Sequence, residues 1–187
     1  MGVNYHDAPD IVNRINGSGV INQRVGDFKS GVEFFGSISL HLARAWVVKG
    51  EYEYLLSSYS LPSSFGYGTA EFSYVVHMPT VIVQYILYEA PTYNLKAGAG
   101  IGYHFGTYTE KYSNVDASFS GKGIGSLLEL EGNTALGDHL CAYLGIQSRW
   151  DLIGELKDEL GKPPSNSTRT TFHFFSVSAR LGMSYYF

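Results

Sequence analysis

Over most of the chain, apolar and polar positions alternate with a period of two, the mark of strands with two unlike faces. From Val32 to Leu42, one face carries Val32, Phe34, Gly36, Ile38, Leu40 and Leu42, and the other Glu33, Phe35, Ser37, Ser39 and His41. A short turn at Ala43-Arg44-Ala45 leads into a run from Trp46, in which Val48, Tyr52, Tyr54 and Leu56 oppose Lys49, Glu51 and Glu53. Three charges in succession on one face mark that face as the polar one. Pro79 interrupts the next apolar stretch and predicts a bulge or a strand start. Beyond it Val81, Val83, Tyr85 and Leu87 are read outward, and Thr80, Ile82 and Gln84 inward.

After Glu89-Ala90-Pro91-Thr92, the run Leu95, Ala97, Ala99, Ile101, Tyr103 and Phe105 alternates with Lys96, Gly98, Gly100, Gly102, His104 and Gly106. The glycines thin one wall there, and Tyr143 and Phe174 are expected to fill the space. Ile124, Leu128 and Leu130 oppose Glu129, Glu131 and Asn133. Leu140 to Trp150 sets leucine, isoleucine and tryptophan against Tyr143, Gln147 and Arg149. The last run sets Phe175, Val177, Ala179, Leu181, Met183, Tyr185 and Phe187 against Phe174, Ser176, Ser178 and Arg180. These are seven strands. An eighth is expected in the N-terminal region, around Gly2 to His6, with residues 1–27 taken as first strand and loop.

The pattern predicts an all-β fold, a closed antiparallel transmembrane β-barrel of about eight strands forming one domain over residues 1–187. A soluble sandwich would also alternate, with its polar face in water. Here the would-be solvent face is rich in Gly, Ser and Tyr and poor in Lys. Runs of roughly 11 to 17 residues exceed ordinary strands but suit a tilted crossing of a bilayer. Connections also alternate between short turns and stretches near 57–71, 107–122 and 151–170 that read as long polar loops, the asymmetry of outer-membrane barrels.

Composition narrows the choice. With 22 Gly, 15 Tyr and 11 Phe, and charged residues at only 16%, the chain is aromatic-rich and charge-poor. It has no apolar stretch long enough for a membrane-spanning helix. A net charge of −4 without a basic cluster excludes nucleic acid as an expected partner. Cys141 is the lone cysteine, so neither an intrachain disulfide nor a cysteine-rich metal site is expected. The start Met-Gly-Val-Asn-Tyr has no signal-peptide pattern, so an exported form would have lost its leader.

The ending Leu181-Gly182-Met183-Ser184-Tyr185-Tyr186-Phe187 resembles the C-terminal signature read by barrel-assembly machinery. The stretch His77-Met78-Pro79-Thr80-Val81, then Tyr85, then Lys96-Ala97-Gly98-Ala99-Gly100-Ile101-Gly102-Tyr103, resembles the small OmpW/OmpX/OmpA-like barrels. This resemblance covers roughly residues 28 to 187. It implies a bacterial outer-membrane location, with lipid, lipopolysaccharide and the assembly machinery as partners. Leu181, Met183, Tyr185 and Phe187 would be the assembly signal. An OmpW-like role would add a small hydrophobic ligand, whereas loop-mediated adhesion would add an extracellular protein partner. No wall-binding domain of the OmpA type is expected.

Glu33, Lys49, Glu51, Glu53, Lys96, Glu129, Glu131, Arg149 and Arg180 are expected in the lumen. Charges in so narrow and poorly hydrated an interior must pair. A packed polar plug and an ion path both remain open, the plug being favoured because eight strands leave room only for side chains. Trp46, Tyr93 and Trp150 are read as membrane-interface aromatics. The six histidines lack ligand spacing, so no metal or cofactor is expected. His173 with Ser176 is the nearest approach to a lipid-hydrolase pair, but such an enzyme needs nucleophile, base and orienting acid in contact, the Ser–His spacing matches no such pattern, and no catalytic residue is assigned. Asn166-Ser167-Thr168 fits a glycosylation pattern that carries no weight in a bacterial protein. The leading expectation is a non-enzymatic outer-membrane barrel acting through its loops in adhesion, partner binding or envelope integrity. Passage of small hydrophobic compounds and lipid hydrolysis are the alternatives.

Overall fold

The computed structural model describes residues 1–17, 19, 21, 24, 26, 30–63, 68–112, 115–163 and 171–185. Eight strands follow one another as β1 (Gly2–Asp7), β2 (Gly31–Ala43), β3 (Trp46–Pro62), β4 (Thr69–Glu89), β5 (Tyr93–Tyr112), β6 (Val115–Ala135), β7 (Leu140–Ile153) and β8 (Phe172–Tyr185). Each pairs antiparallel with its neighbour in sequence, and β1 also pairs with β8, closing the sheet into a ring. The closure is partial: beyond Glu33, β2 has no register partner on its β1 side among the described residues. The closing strand is short: Gly2↔Arg180 through Asp7↔Phe175 join it to β8, but only Gly2, Val3 and Asn4 pair with β2.

The alternation sets the facing of every strand. Ile38, Leu40, Val81, Ile101, Leu128, Leu144, Ile146 and Leu181 lie exposed on the outside, and the charged residues opposite them are buried inside. Pro79 sits within β4, opposite Tyr52, and the facing below it is as the alternation indicates, with Val81, Val83, Tyr85 and Leu87 outward.

Two expectations about the loops are corrected. Residues 57–71 and 107–122 are mostly strand: β3 runs on to Pro62, β4 begins at Thr69, and only residues 113 and 114 separate β5 from β6. They read as loop because the pattern inverts in this part of the ring. The outward side becomes polar, with Ser58, Ser60, Glu71, Ser118 and Ser120. The inward side becomes apolar, with Ala70, Phe72, Tyr74, Tyr108 and Phe119.

The N-terminal assignment is corrected too. After β1 comes a helix, α1 (Pro9–Gly17), where strand and loop were expected. Proline suits a first helical turn, since its missing N–H would have no partner there, and Asp10 complements the positive helix end. The helix turns Ile11, Val12 and Ile15 into the inverted part of the ring, where they join Leu55, Phe72, Met78, Ile153, Leu156 and Phe172 in one buried cluster. Burial of three such side chains stabilises the helix seat by about 5 kcal/mol as an upper figure. Two polar clasps fix the rest. Asp10 Oδ2 accepts from Thr171 Oγ1 at 2.7 Å and from the His173 backbone N–H at 3.3 Å. Arg14 Nε lies 2.8 Å from Glu110 Oε1, with its guanidinium 5.4 Å from the Phe119 ring centre.

Candidate functional site

The interior has two storeys. The apolar one lies beneath α1. The other lies toward the short turns and gathers nearly all of the buried charge.

All nine lumen residues named from the sequence are buried, and ion pairs join them into one network. Lys49 Nζ is the hub on one side, 2.7 Å from Glu129 Oε2, 3.0 Å from Glu131 Oε2 and 3.4 Å from Glu51 Oε2. Lys96 reaches Glu131 at 3.2 Å. Arg180 is the second hub, 3.0 Å from Glu51, 3.4 Å from Glu33 and 4.0 Å from Glu53. Arg149 binds Glu53 at 2.6 Å. Amides add hydrogen bonds to some of the carboxylates: Gln84 donates to both Glu129 and Glu131, Asn133 to Glu131, and Asn4 to Glu33. The Phe35 ring covers Arg180 at 3.7 Å. Most of these ions therefore have partners drawn from several strands, and Lys96 has Glu131 alone, the pairing under which buried charge is tolerated.

A second polar line was not anticipated. His104 pairs through Nδ1 with Asp151 Oδ1, and its Nε2 lies 3.2 Å from Thr80 Oγ1 and 3.5 Å from Arg149 Nη1. Its seat explains the glycine-rich strand. A Cβ on Gly125 would strike the His104 ring, and one on Gly102 would strike both that ring and the Pro79 carbonyl. The space beside Gly98 and Gly100 is filled by Gln84, Ile82 and Thr80. Tyr143 and Phe174, expected there, lie elsewhere: Tyr143 packs against Gly145 and Gly182, and Phe174 joins the apolar cluster.

Hydroxyl, imidazole and carboxylate in line is the connectivity of a hydrolytic triad. The geometry here does not serve one. Thr80 Oγ1 donates to the Met78 carbonyl at 3.2 Å, and Thr80, His104 and Asp151 are all buried. The line remained hidden in the sequence because its members stand on β4, β5 and β7. A histidine amid inward glycines was its one local signal. His173 and Ser176 do not meet: His173 is exposed on the outside and Ser176 is buried inside.

A third line links the two storeys. The Tyr74 hydroxyl bonds His6 Nε2, His6 Nδ1 lies 3.0 Å from Asn4 Oδ1, and Asn4 donates to Glu33. Toward the short turns the inner face opens, with Ser37, Ser39 and His41 exposed.

Trp46, Tyr93 and Trp150 are exposed on the outer wall. Trp46 meets Tyr85 edge-on at 5.0 Å, Tyr93 stacks on Tyr88 at 5.0 Å, and Trp150 lies 5.3 Å from Phe175. Leu181, Met183 and Tyr185 also face outward, whereas Phe187 and the Asn166-Ser167-Thr168 stretch lie outside the described residues. In comparisons with known proteins, no family model and no curated protein matches the chain.

Proposed function

We propose that the chain is a bacterial outer-membrane β-barrel with a sealed lumen, which acts without catalysis through the loops at its helix-capped end. Adhesion, binding of an extracellular protein and support of the envelope are the roles open to such a surface. One observation carries this reading: the exterior is apolar where the interior is ionic. In water that arrangement would leave Ile38, Leu40, Ile101, Leu144, Leu181 and Met183 more than half exposed while burying six glutamates. In a bilayer both choices are favourable, and pairing around the ring satisfies most strand hydrogen bonds without water. From Trp46 to Leu56 the outer face of β3 spans eleven residues, about 33 Å along the strand, or about 25 Å of membrane once tilted.

The resemblance to OmpW/OmpX/OmpA-like barrels supports the same placement, with lipid, lipopolysaccharide and the assembly machinery as partners. The ionic storey supports closure, because nine paired side chains fill the width that eight strands leave. In this reading the His104–Asp151 line braces the wall. The test is reconstitution. Protein refolded with lipid vesicles should float with them, resist alkaline extraction and migrate faster on gels before boiling than after. Protein that stays soluble and monomeric without detergent would overturn the reading.

A second reading is favoured by one feature, the apolar storey beneath α1. Passage of a small hydrophobic compound would use that space, but α1 must first leave it. Tethering α1 to β8 through an engineered disulfide should abolish such passage and leave loop-mediated binding intact.

A further inference from the structure

On the outer wall, a shallow recess of about 990 Å³ runs across β2 to β6. Two outward glycines create it. A Cβ on Gly36 or Gly50 would meet nothing within 4 Å, and Tyr52, Pro79, Ile101 and Tyr103 stand around the hollow. Its lining is almost wholly apolar, and its size falls in the range of small-molecule sites. Glycine on an exposed strand face contributes neither packing nor propensity, so two of them on adjacent strands weaken the sheet with no internal gain.

The residues bordering the recess differ from those around the rest of the wall. Register places Tyr54, His77, Phe105 and Lys122 side by side on β3, β4, β5 and β6, one outward position nearer the loop end than Tyr52, Pro79, Tyr103 and Ile124. Tyr52 Oη lies 2.6 Å from His77 Nδ1, and the Tyr54 ring packs edge-on against the imidazole at 5.1 Å. The other ring nitrogen, Nε2, has no protein partner among the described residues, and in the tautomer in which the Tyr52 hydroxyl donates to Nδ1 it carries the proton. Lys122 is exposed and forms no ion pair among them, and the nearby Glu155 is paired with Lys157 at 3.5 Å. A cation and an N–H donor thus stand unused along one rim of an apolar hollow.

We propose that this is a binding site for a phosphate-bearing diacyl lipid. One acyl chain lies in the Gly36–Gly50 recess, and the phosphate is met by Lys122 and His77 Nε2. Charge complementarity selects this occupant: an apolar peptide would leave Lys122 and His77 unanswered, and a free phosphate would leave the recess empty. The proposal rests on the reading that this wall faces a membrane, and the experiment separates the two.

The full chain is reconstituted in neutral phosphatidylcholine vesicles and checked for flotation. It is then examined in detergent by native mass spectrometry with phosphatidic acid, with phosphatidylcholine of the same chains, and with inorganic phosphate as competitor. One phosphatidic acid should be retained per chain, at least tenfold more tightly than phosphatidylcholine, and inorganic phosphate should not displace it. Gly50→Leu, which fills the recess, should lower retention at least tenfold while the folded gel mobility is kept. Should that variant fail to fold, Gly36→Leu fills the same space from β2. The pair Lys122→Gln and His77→Gln should erase the preference for phosphatidic acid. Equal retention of both lipids, displacement by inorganic phosphate, or indifference to filling the recess would overturn the site. Failure of the wild-type protein to float would overturn the membrane reading itself, and the site with it.

Discussion

Lys49 Nζ lies 2.7 Å from Glu129 Oε2, across eighty residues of sequence, and the same ammonium also holds Glu51 and Glu131. Three carboxylates converge on one cation because β3 and β6 direct these side chains into a lumen too narrow to keep them apart. Removing the cation leaves the acids facing one another. Lys49→Met should therefore destabilise the ring by about 3–5 kcal/mol. Urea unfolding in detergent, followed by gel mobility, measures it. A loss below about 1 kcal/mol would mean that water reaches this storey freely.

Gly102 and Gly50 provide a matched pair of substitutions. Gly102→Ala would force its methyl into the Pro79 carbonyl and His104, whereas Gly50→Ala meets nothing. The first should cost about 1–3 kcal/mol and the second well under that. The same unfolding assay ranks them, and equal effects would refute the seat described for His104.

The helix seat should be separable from the ring. Ile11→Asp with Ile15→Asp places two charges in the apolar storey and should release α1. Trypsin should then cut after Arg14 several-fold faster, while β2 to β8 stay resistant. If those strands become digestible as well, α1 is integral to the ring.

Planar-bilayer conductance should stay near baseline even with α1 released, because the ionic storey lies beyond the apolar one. Small openings should appear only when Glu51 and Arg180 are neutralised together. Large, steady openings in the wild type would rule out a sealed lumen.

Deleting Phe187 should lower the yield of folded protein in cell envelopes several-fold and leave refolding into detergent nearly unchanged. Equal losses in both assays would count against an assembly signal at the chain's end.

The sequence makes the facing of strands legible wherever one side is apolar and the other charged, as from Val32 to Glu53. That alone suffices to gather Glu33, Glu51, Glu129 and Arg180 inside. It fails where the two sides exchange character. Ser58, Ser60, Ser118 and Ser120 look like loop because their side is polar where the outward side is elsewhere apolar, while the inward Phe72, Tyr74, Tyr108 and Phe119 find their apolar company on other strands and on α1. The helix was hidden by its shortness: Ile11, Val12 and Ile15 share one face over little more than a turn. The His104–Asp151 pair depends on register across β5, β6 and β7, which no local pattern encodes. Gly36 and Gly50 alternate correctly with their neighbours, so nothing in either run alone shows that they adjoin.

The short seam between β1 and β8 sets a constraint on the order of events as the chain folds. Gly2 cannot meet Arg180, nor Asp7 meet Phe175, until β8 has been made. Pairing so distant in sequence carries a large loop-closure entropy and comes late. Only Ala8 separates β1 from α1, so the strand that shuts the cylinder and the helix that stoppers it arrive as one piece. Until then Tyr74 lacks His6, Glu33 lacks Asn4, and the inner apolar wall lies bare. The half-made protein is thus an open, sticky sheet until β1 and α1 close it together.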